Sequence, residues 1–246
     1  MPRVLSIATL YPNNHVPRFG TFVARQMEAL AAREDWDVTV INPIGVPPVP
    51  MGRYKALADA AISGEEGGVD VRRPRFTLIP AVGGPFNPAM IAKAVLPIAR
   101  TLHEAEPFDI VDAQFFYPDG PAAAQIAQAL DLPLSIKARG ADISHWGHKA
   151  YALKKMQAAS RQAAGLLSVS EALKRDMAAI GLPEGKITVH YTGLDRDLFH
   201  PLDREASRKQ LAEEFNVRLE DREHLLASVG ALIPRKGQHF VIRALA

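Results

Sequence analysis

Apolar residues fall along this chain in two rhythms. Residues 4–10, 38–41, 109–113, 134–138, 166–169 and 187–191 are short, near-continuous apolar runs, as expected of strands buried on both faces. Between them the spacing turns helical. Phe22, Val23, Met27 and Leu30 share one face, and so do Ile91, Val95, Ile98 and Leu102 within 87–104, where Pro97 predicts a kink. Helices are also expected over 54–62, from Asp119 as N-cap through Leu130, over 150–163, and from Ser170 as cap to a stop at Gly181. Residues 43–50 read as a proline-rich loop, and 69–73 and 76–79 as short strands.

Strand and helix alternating in this way predict an α/β fold, a doubly wound parallel sheet with helices on both faces. This Rossmann-like domain is expected over residues 1–200. A charged crossover over 195–223 leads to an apolar run at 225–229, a loop with Pro234 and Gly237, and helical spacing of Phe240, Val241, Ala244 and Leu245. Residues 201–246 are therefore expected to hold the crossover and the first strand, loop and helix of a second, incomplete domain of the same kind.

Composition narrows the function classes. The 246 residues include 29 Lys and Arg against 27 Asp and Glu, a net charge of +2, which does not mark a general nucleic-acid binder. The chain has no cysteine, which excludes disulfides and thiolate metal sites and is compatible with a reducing compartment. The first apolar run is too short for a signal peptide, and no window approaches a membrane span, so a cytoplasmic protein is expected.

Candidate chemistry lies in the loops after strands. PNNHVPRFG follows the first strand in place of a dinucleotide fingerprint, and there is no Walker loop. Arg139, Gly140 and Asp142 follow the strand at 134–138, at a sheet edge where open α/β folds place ligands. Arg235, Lys236 and Gly237 precede a helix whose free amides and dipole suit a diphosphate, and they suit a polar surface turn equally well. Asp142, His145 and His148 are spaced for a shared face but bracketed by glycines, and no metal is expected. Phe115, Phe116 and Tyr117 are expected to pack beneath the sheet rim, and Arg72, Arg73 and Arg75 to form a solvated edge.

Five segments in order resemble the two-domain, retaining glycosyltransferases of family 4, which build bacterial polysaccharides on the GT-B architecture. They are the run from Phe19 to Val23, KARGADI at 137–143, SVSEALKRDM at 168–177, HYTGLDRDLFHP at 190–201 and VGALIPRKG at 229–237. The resemblance implies an acceptor-side first domain and a nucleotide-sugar-binding second domain, truncated early here. It implies that Phe19, Gly20, Arg139, Gly140, Asp142, Thr192 and Gly193 belong to cleft loops, and that Arg235, Lys236 and Gly237 face the donor diphosphate. The partners it implies are a nucleotide-sugar donor and a glycan or lipid-linked acceptor. Peripheral contact with the inner membrane face is compatible with it, and no cofactor is implied.

The chain departs from the family at three points. Arg139 stands where a histidine is frequent, Ala231 follows Gly230 where the family has arginine, and the paired glutamates that hold donor sugar and ribose are not among these residues. The expected function is sugar transfer from a nucleoside diphosphate with retention, by the full-length enzyme and not by this fragment alone. The alternatives are a non-catalytic binding module and a sugar-nucleotide epimerase of similar architecture.

Overall fold

The computed structural model describes residues 1–220, 224–230 and 232–245, apart from the side chains of Arg53 and Arg235. It divides into two compact units, Met1–Gly193 and Leu194–Ala246.

In the first unit, β1 (Arg3–Ile7) pairs in parallel with β2 (Asp37–Ile41) on one side and β7 (Ile110–Ala113) on the other. Beyond β2 lie β5 (Val69–Arg72) and an antiparallel edge strand, β4 (Gly64–Glu66). Beyond β7 come β8 (Leu134–Ala138), β9 (Gly165–Ser168) and β10 (Ile187–Val189), all parallel. A small second sheet pairs β3 (Ile44–Val46) with β6 (Arg75–Thr77). The order β10-β9-β8-β7-β1-β2-β5-β4 reverses direction between β1 and β7, the point where doubly wound sheets open a crevice.

Alternation along each strand assigns the two faces. Leu5, Ile7, Val111, Ala113, Leu134, Ile136 and Ala138 enter the main core with residues of α3 (Asn87–Ala105), α4 (Asp119–Leu130), α5 (Ala150–Gln162) and α6 (Glu171–Ala179). Val38, Val40, Val69 and Val71 pack instead with Val23, Ala24 and Met27 of α1 (Thr21–Ala31). A short helix, α2 (Arg53–Asp59), joins Ala58 to Ile44 and Val46. Each fully buried large side chain contributes about 1.5–3 kcal/mol. The helix α4 approaches closely because it is built from Gly120 and alanines; a Cβ on Gly120 would stand 3.2 Å from Ile136 Cγ2.

Phe116 and Tyr117 are fully buried, as expected, and the Tyr117 hydroxyl donates to Gly84 O at 2.6 Å. Ser170 caps α6, accepting from Leu173 N at 3.1 Å, and the chain turns at Gly181 with φ +79. Three expectations for this unit need correction. Residues 44–46, expected as loop, are a strand, because Gly45 lets the ring of Phe76 approach and β6 supplies a partner. Asp119 does not cap α4, since its carboxylate is fully buried and turned to the loop after β1. Arg73 is no solvated edge residue; it is buried, pairs with both carboxylate oxygens of Glu66, and donates to Ile62 O and Pro12 O.

In the second unit, α7 (Arg204–Phe215) occupies much of the expected crossover, capped by Asp203, whose Oδ1 accepts from Ala206 N at 2.8 Å. A single 3-10 turn, Pro234–Lys236, precedes α8 (Gln238–Leu245). Residues 225–229, expected as a strand, are not one: a strand is defined by its ladder, and no extended partner is present among the described residues of this unit.

Candidate functional site

Polar residues interrupt three central strands at matched positions. Ser6 of β1 faces Asp112 of β7, and Asp112 faces Ser135 of β8 in the ladder, so the three stand in a row across the sheet. Lys137, two residues beyond Ser135, continues this row on the same face toward the carboxyl edge. Asp112 accepts from Ser6 Oγ at 3.1 Å and from the Gln114 amide. Burial pushes its carboxyl above the usual range, and the bonds from Gln114, Ser6 and Ser135 and the Arg139 charge work against that rise.

At the edge, four side chains close on one another. Lys137 Nζ donates to Gln26 Oε1 of α1 at 2.7 Å and lies 2.7 Å from His190 Nδ1, just past β10. The Arg139 guanidinium donates to Gln114 O at 2.9 Å, to Gln26 Oε1 at 3.0 Å and to the Gln114 side-chain carbonyl. Its Cζ sits 5.0 Å from the centre of the Phe22 ring, which is partly exposed, and its Nη1 is buried without a hydrogen-bond partner. Burial lowers Lys137 to about 8, helped by Arg139 and opposed by Asp112. Burial likewise lowers Arg139 to about 10, which leaves it a full cation at neutral pH. The cluster can therefore receive a polar or anionic group on its Arg139, Gln26 and His190 side, over the flat face of Phe22.

Asp142 shapes the loop beneath. Its carboxylate accepts from Gly140 N at 2.8 Å, Arg139 N at 3.0 Å and Phe116 N at 2.8 Å, which turns it away from any ligand. Gly140, at φ +116, adopts a backbone that other residues rarely reach. Asp119 does the same service for the loop after β1: its two oxygens take Thr9 N at 2.9 Å and Thr9 Oγ1 at 2.7 Å. Burial raises Asp119 to about 7, against the two Thr9 bonds, with Asp142 adding to the rise. Gly20 closes the same loop onto α1. Its φ is +74, and a Cβ there would meet Leu10 C at 2.5 Å and Tyr11 N at 2.7 Å. Phe19 beside it is half exposed.

The structure thus brings Arg139 and Gly140 together with the N-terminal end of α1, which Gly20 opens. Asp142 is an internal anchor, while Thr192 and Gly193 are exposed beyond β10. Among the described residues no group of His, Asp and Glu is placed to hold a metal. In the second unit Lys236 is exposed, Gly237 has φ +74, and Gly237 O accepts from Phe240 N at 2.8 Å, the first bond of α8. The Arg235 side chain and Ala231 lie outside the described residues. Sequence reasoning passed over Ser6, Asp112, Lys137, Gln26, Gln114 and His190. The signal for five of them was present as polar residues in or beside apolar strands; Gln26, within a helix, leaves no such mark.

Residues 19–193 match the family described as glycosyl transferase 4-like domain. The chain is similar to a Bacillus subtilis (strain 168) protein described as "Putative teichuronic acid biosynthesis glycosyltransferase TuaC", with 26% identity over 243 residues, 96% of this chain and 60% of that protein. Among solved structures, Anabaena HepE in complex with UDP and glucose superposes with a TM-score of 0.64 at 18% identity, over 100% of this chain and 58% of that one. Sucrose-phosphate synthase from Thermosynechococcus elongatus gives 0.66 at 13% identity, over 100% and 59%. The chain therefore spans about three fifths of the length of these relatives, and the structural likeness is one of fold. No described helix is long and apolar enough to cross a membrane.

Proposed function

This chain belongs to the glycosyl transferase 4-like domain family, and from that premise we propose that the protein transfers a sugar from a nucleoside diphosphate donor to a polysaccharide or lipid-linked acceptor, with retention at the anomeric carbon. The observation that carries the reading is the match over 19–193, whose residues include the Lys137, Arg139, Gln26 and His190 cluster at the carboxyl edge of the sheet. TuaC is described as a glycosyltransferase of teichuronic acid biosynthesis and HepE was solved with UDP and glucose, which supports a nucleotide-sugar donor and a glycan product.

In this reading Met1–Gly193 is the acceptor side. Gly20, Arg139 and Gly140 line the cleft, with Asp142 and Asp119 holding their loops in shape. Arg235, Lys236 and Gly237 receive the donor diphosphate at the start of α8, where amides without intrahelical partners favour an anion. Catalysis is positioning and stabilisation of the departing diphosphate by cations and helix-terminal amides. The reaction takes place on the cytoplasmic side, with the acceptor presented from the membrane face.

The test is transfer from UDP-sugars to a lipid-linked glycan by the full-length protein, with the anomeric configuration of the product read by NMR. Inversion would overturn the stereochemical claim, and donor hydrolysis or epimerisation without transfer would overturn the activity. Lys236→Ala should weaken UDP binding about ten- to hundredfold, the worth of one charge-assisted contact of about 1.5–3 kcal/mol. UDP binding unchanged in the Arg235→Ala, Lys236→Ala double variant would remove these residues from the site.

A further inference from the structure

We propose that Lys137 is a positioning residue that holds His190 as a neutral imidazole with its proton on Nε2, and that this N–H donates to an acceptor oxygen of the substrate, a phosphoryl oxygen or a sugar hydroxyl.

The donor inventory forces the tautomer. A lysine ammonium has three donors and no acceptor, so at 2.7 Å from Nδ1 it must meet a lone pair. A proton on Nδ1 would set two N–H groups against each other, and in the doubly protonated ring two cations as well. The neutral ring with an Nδ1 lone pair carries its hydrogen on Nε2. Lys137 cannot turn away to relieve the contact, because a second of its protons goes to Gln26 Oε1, which Arg139 also holds at 3.0 Å. His190 is fixed at the backbone too, donating its N–H to Ser168 O at 2.7 Å at the end of β9. Nε2 has no hydrogen-bond partner among the described residues, and His190 is exposed, so the donor is formed and open to a ligand.

The surrounding charges agree. Burial first, then Lys137 and Arg139, hold the His190 pKa below its ordinary value, and Asp112 alone of the facing side-chain charges pulls the other way. At neutral pH His190 is then a fixed donor and not a proton shuttle. Its role toward substrate rests on the glycosyltransferase reading; its tautomer does not.

The test uses the 246-residue chain labelled with 15N-histidine and followed by long-range 1H–15N NMR across the histidine range. His190 should show an Nε2–H tautomer and a midpoint below that of an ordinary histidine. Lys137→Met should move that midpoint upward and mix the two tautomers. If Lys137→Met does not fold, the wild-type spectrum decides alone: an Nδ1–H tautomer or an imidazolium at pH 7 overturns the positioning role. UDP and glucose are then added separately to the full-length protein, labelled in the same way. Movement of the Nε2 resonance with UDP identifies a phosphoryl oxygen, and movement with glucose a hydroxyl. No movement with either at saturating concentration overturns the substrate role while leaving the tautomer. Absence of sugar transfer by the full-length protein would sink the glycosyltransferase reading without touching either spectrum.

Discussion

In Met1–Gly193 the central strands β1, β2 and β7 each have a neighbour on both sides and bury successive side chains on both faces, whereas in Leu194–Ala246 no described residue is buried. The local patterns are comparable. Helix α8 carries Phe240, Val241 and Leu245 at helical spacing, much as α1 carries Val23 and Met27, yet the former three are exposed and the latter two sit in a core. Val229, inside an apolar run as continuous as those of β1 or β8, is 97% exposed. Periodicity therefore decides where a helix can form, and the presence of a second layer decides whether its stripe is worth anything.

The largest expected difference is in hydrogen exchange on the whole chain. Amides of β1, β7 and β8 should open only with global unfolding, at a cost of about 5–15 kcal/mol, while those of 225–229 should exchange at nearly the free rate. Slow exchange at Leu226 to Val229 would show that this segment has found a ladder partner, and would collapse the contrast between the units.

Glycine substitutions sharpen the same contrast. Gly20 and Gly237 share φ +74, but a Cβ on Gly20 would run into the Leu10 and Tyr11 backbone, whereas among the described residues one on Gly237 would meet Phe240 Cδ2 at an ordinary 3.6 Å. Gly20→Ala should cost about 3 kcal/mol or more in chemical denaturation, because strain and backbone overlap add. Gly237→Ala should leave the main transition in place. Equal losses would mean that the second unit unfolds cooperatively with the first.

How much of this was visible beforehand follows the same division. Most of the order of strands and helices in 1–193 was legible, since each long apolar run had a partner to reward it; the three-residue strands β3 and β4 were not, being too short to carry a pattern. The Ser170 cap and the Gly181 stop were legible because their chemistry is local. The Asp119 role was not, because an aspartate ahead of a helix looks the same whether it caps that helix or reaches across to Thr9. The His190 and Lys137 contact was invisible for a related reason: 53 residues separate them, and only the parallel order β8-β9-β10 brings them to one edge. Arg139 and Gly140 were singled out from their place after a strand, while the buried, unpartnered Nη1 depends on packing that no sequence pattern marks.

Asp119 gives a smaller, pH-dependent effect that only a unit with an interior can show. Its folded pKa is raised to about 7 from an ordinary 3.8, so the folded state binds the proton more tightly than the unfolded chain does. The stabilisation is complete below pH 3.8 and fades as pH rises through 7, in the sense required by linkage. Asp119→Asn should therefore flatten the stability profile between those limits. An unchanged slope would place the titration elsewhere, and a slope of opposite sign would mean that the Thr9 bonds outweigh burial.

Two caps with matched geometry supply the smallest and cleanest comparison. Ser170 accepts from Leu173 N at 3.1 Å at the start of α6, and Asp203 Oδ1 accepts from Ala206 N at 2.8 Å at the start of α7. Each bond satisfies one orphan amide, and losing either to alanine costs its helix about 1 kcal/mol. What differs is what the helix holds. Helix α6 buries Leu173 and Met177 in the main core, so Ser170→Ala should lower the midpoint of global unfolding by about 1 kcal/mol equivalent. Helix α7 has no buried residue, so Asp203→Ala should reduce helical circular dichroism while the global midpoint stays where it was. If Asp203→Ala moves the midpoint as far as Ser170→Ala does, α7 is coupled to the core, and burial within its own unit is not what sets its share of the stability.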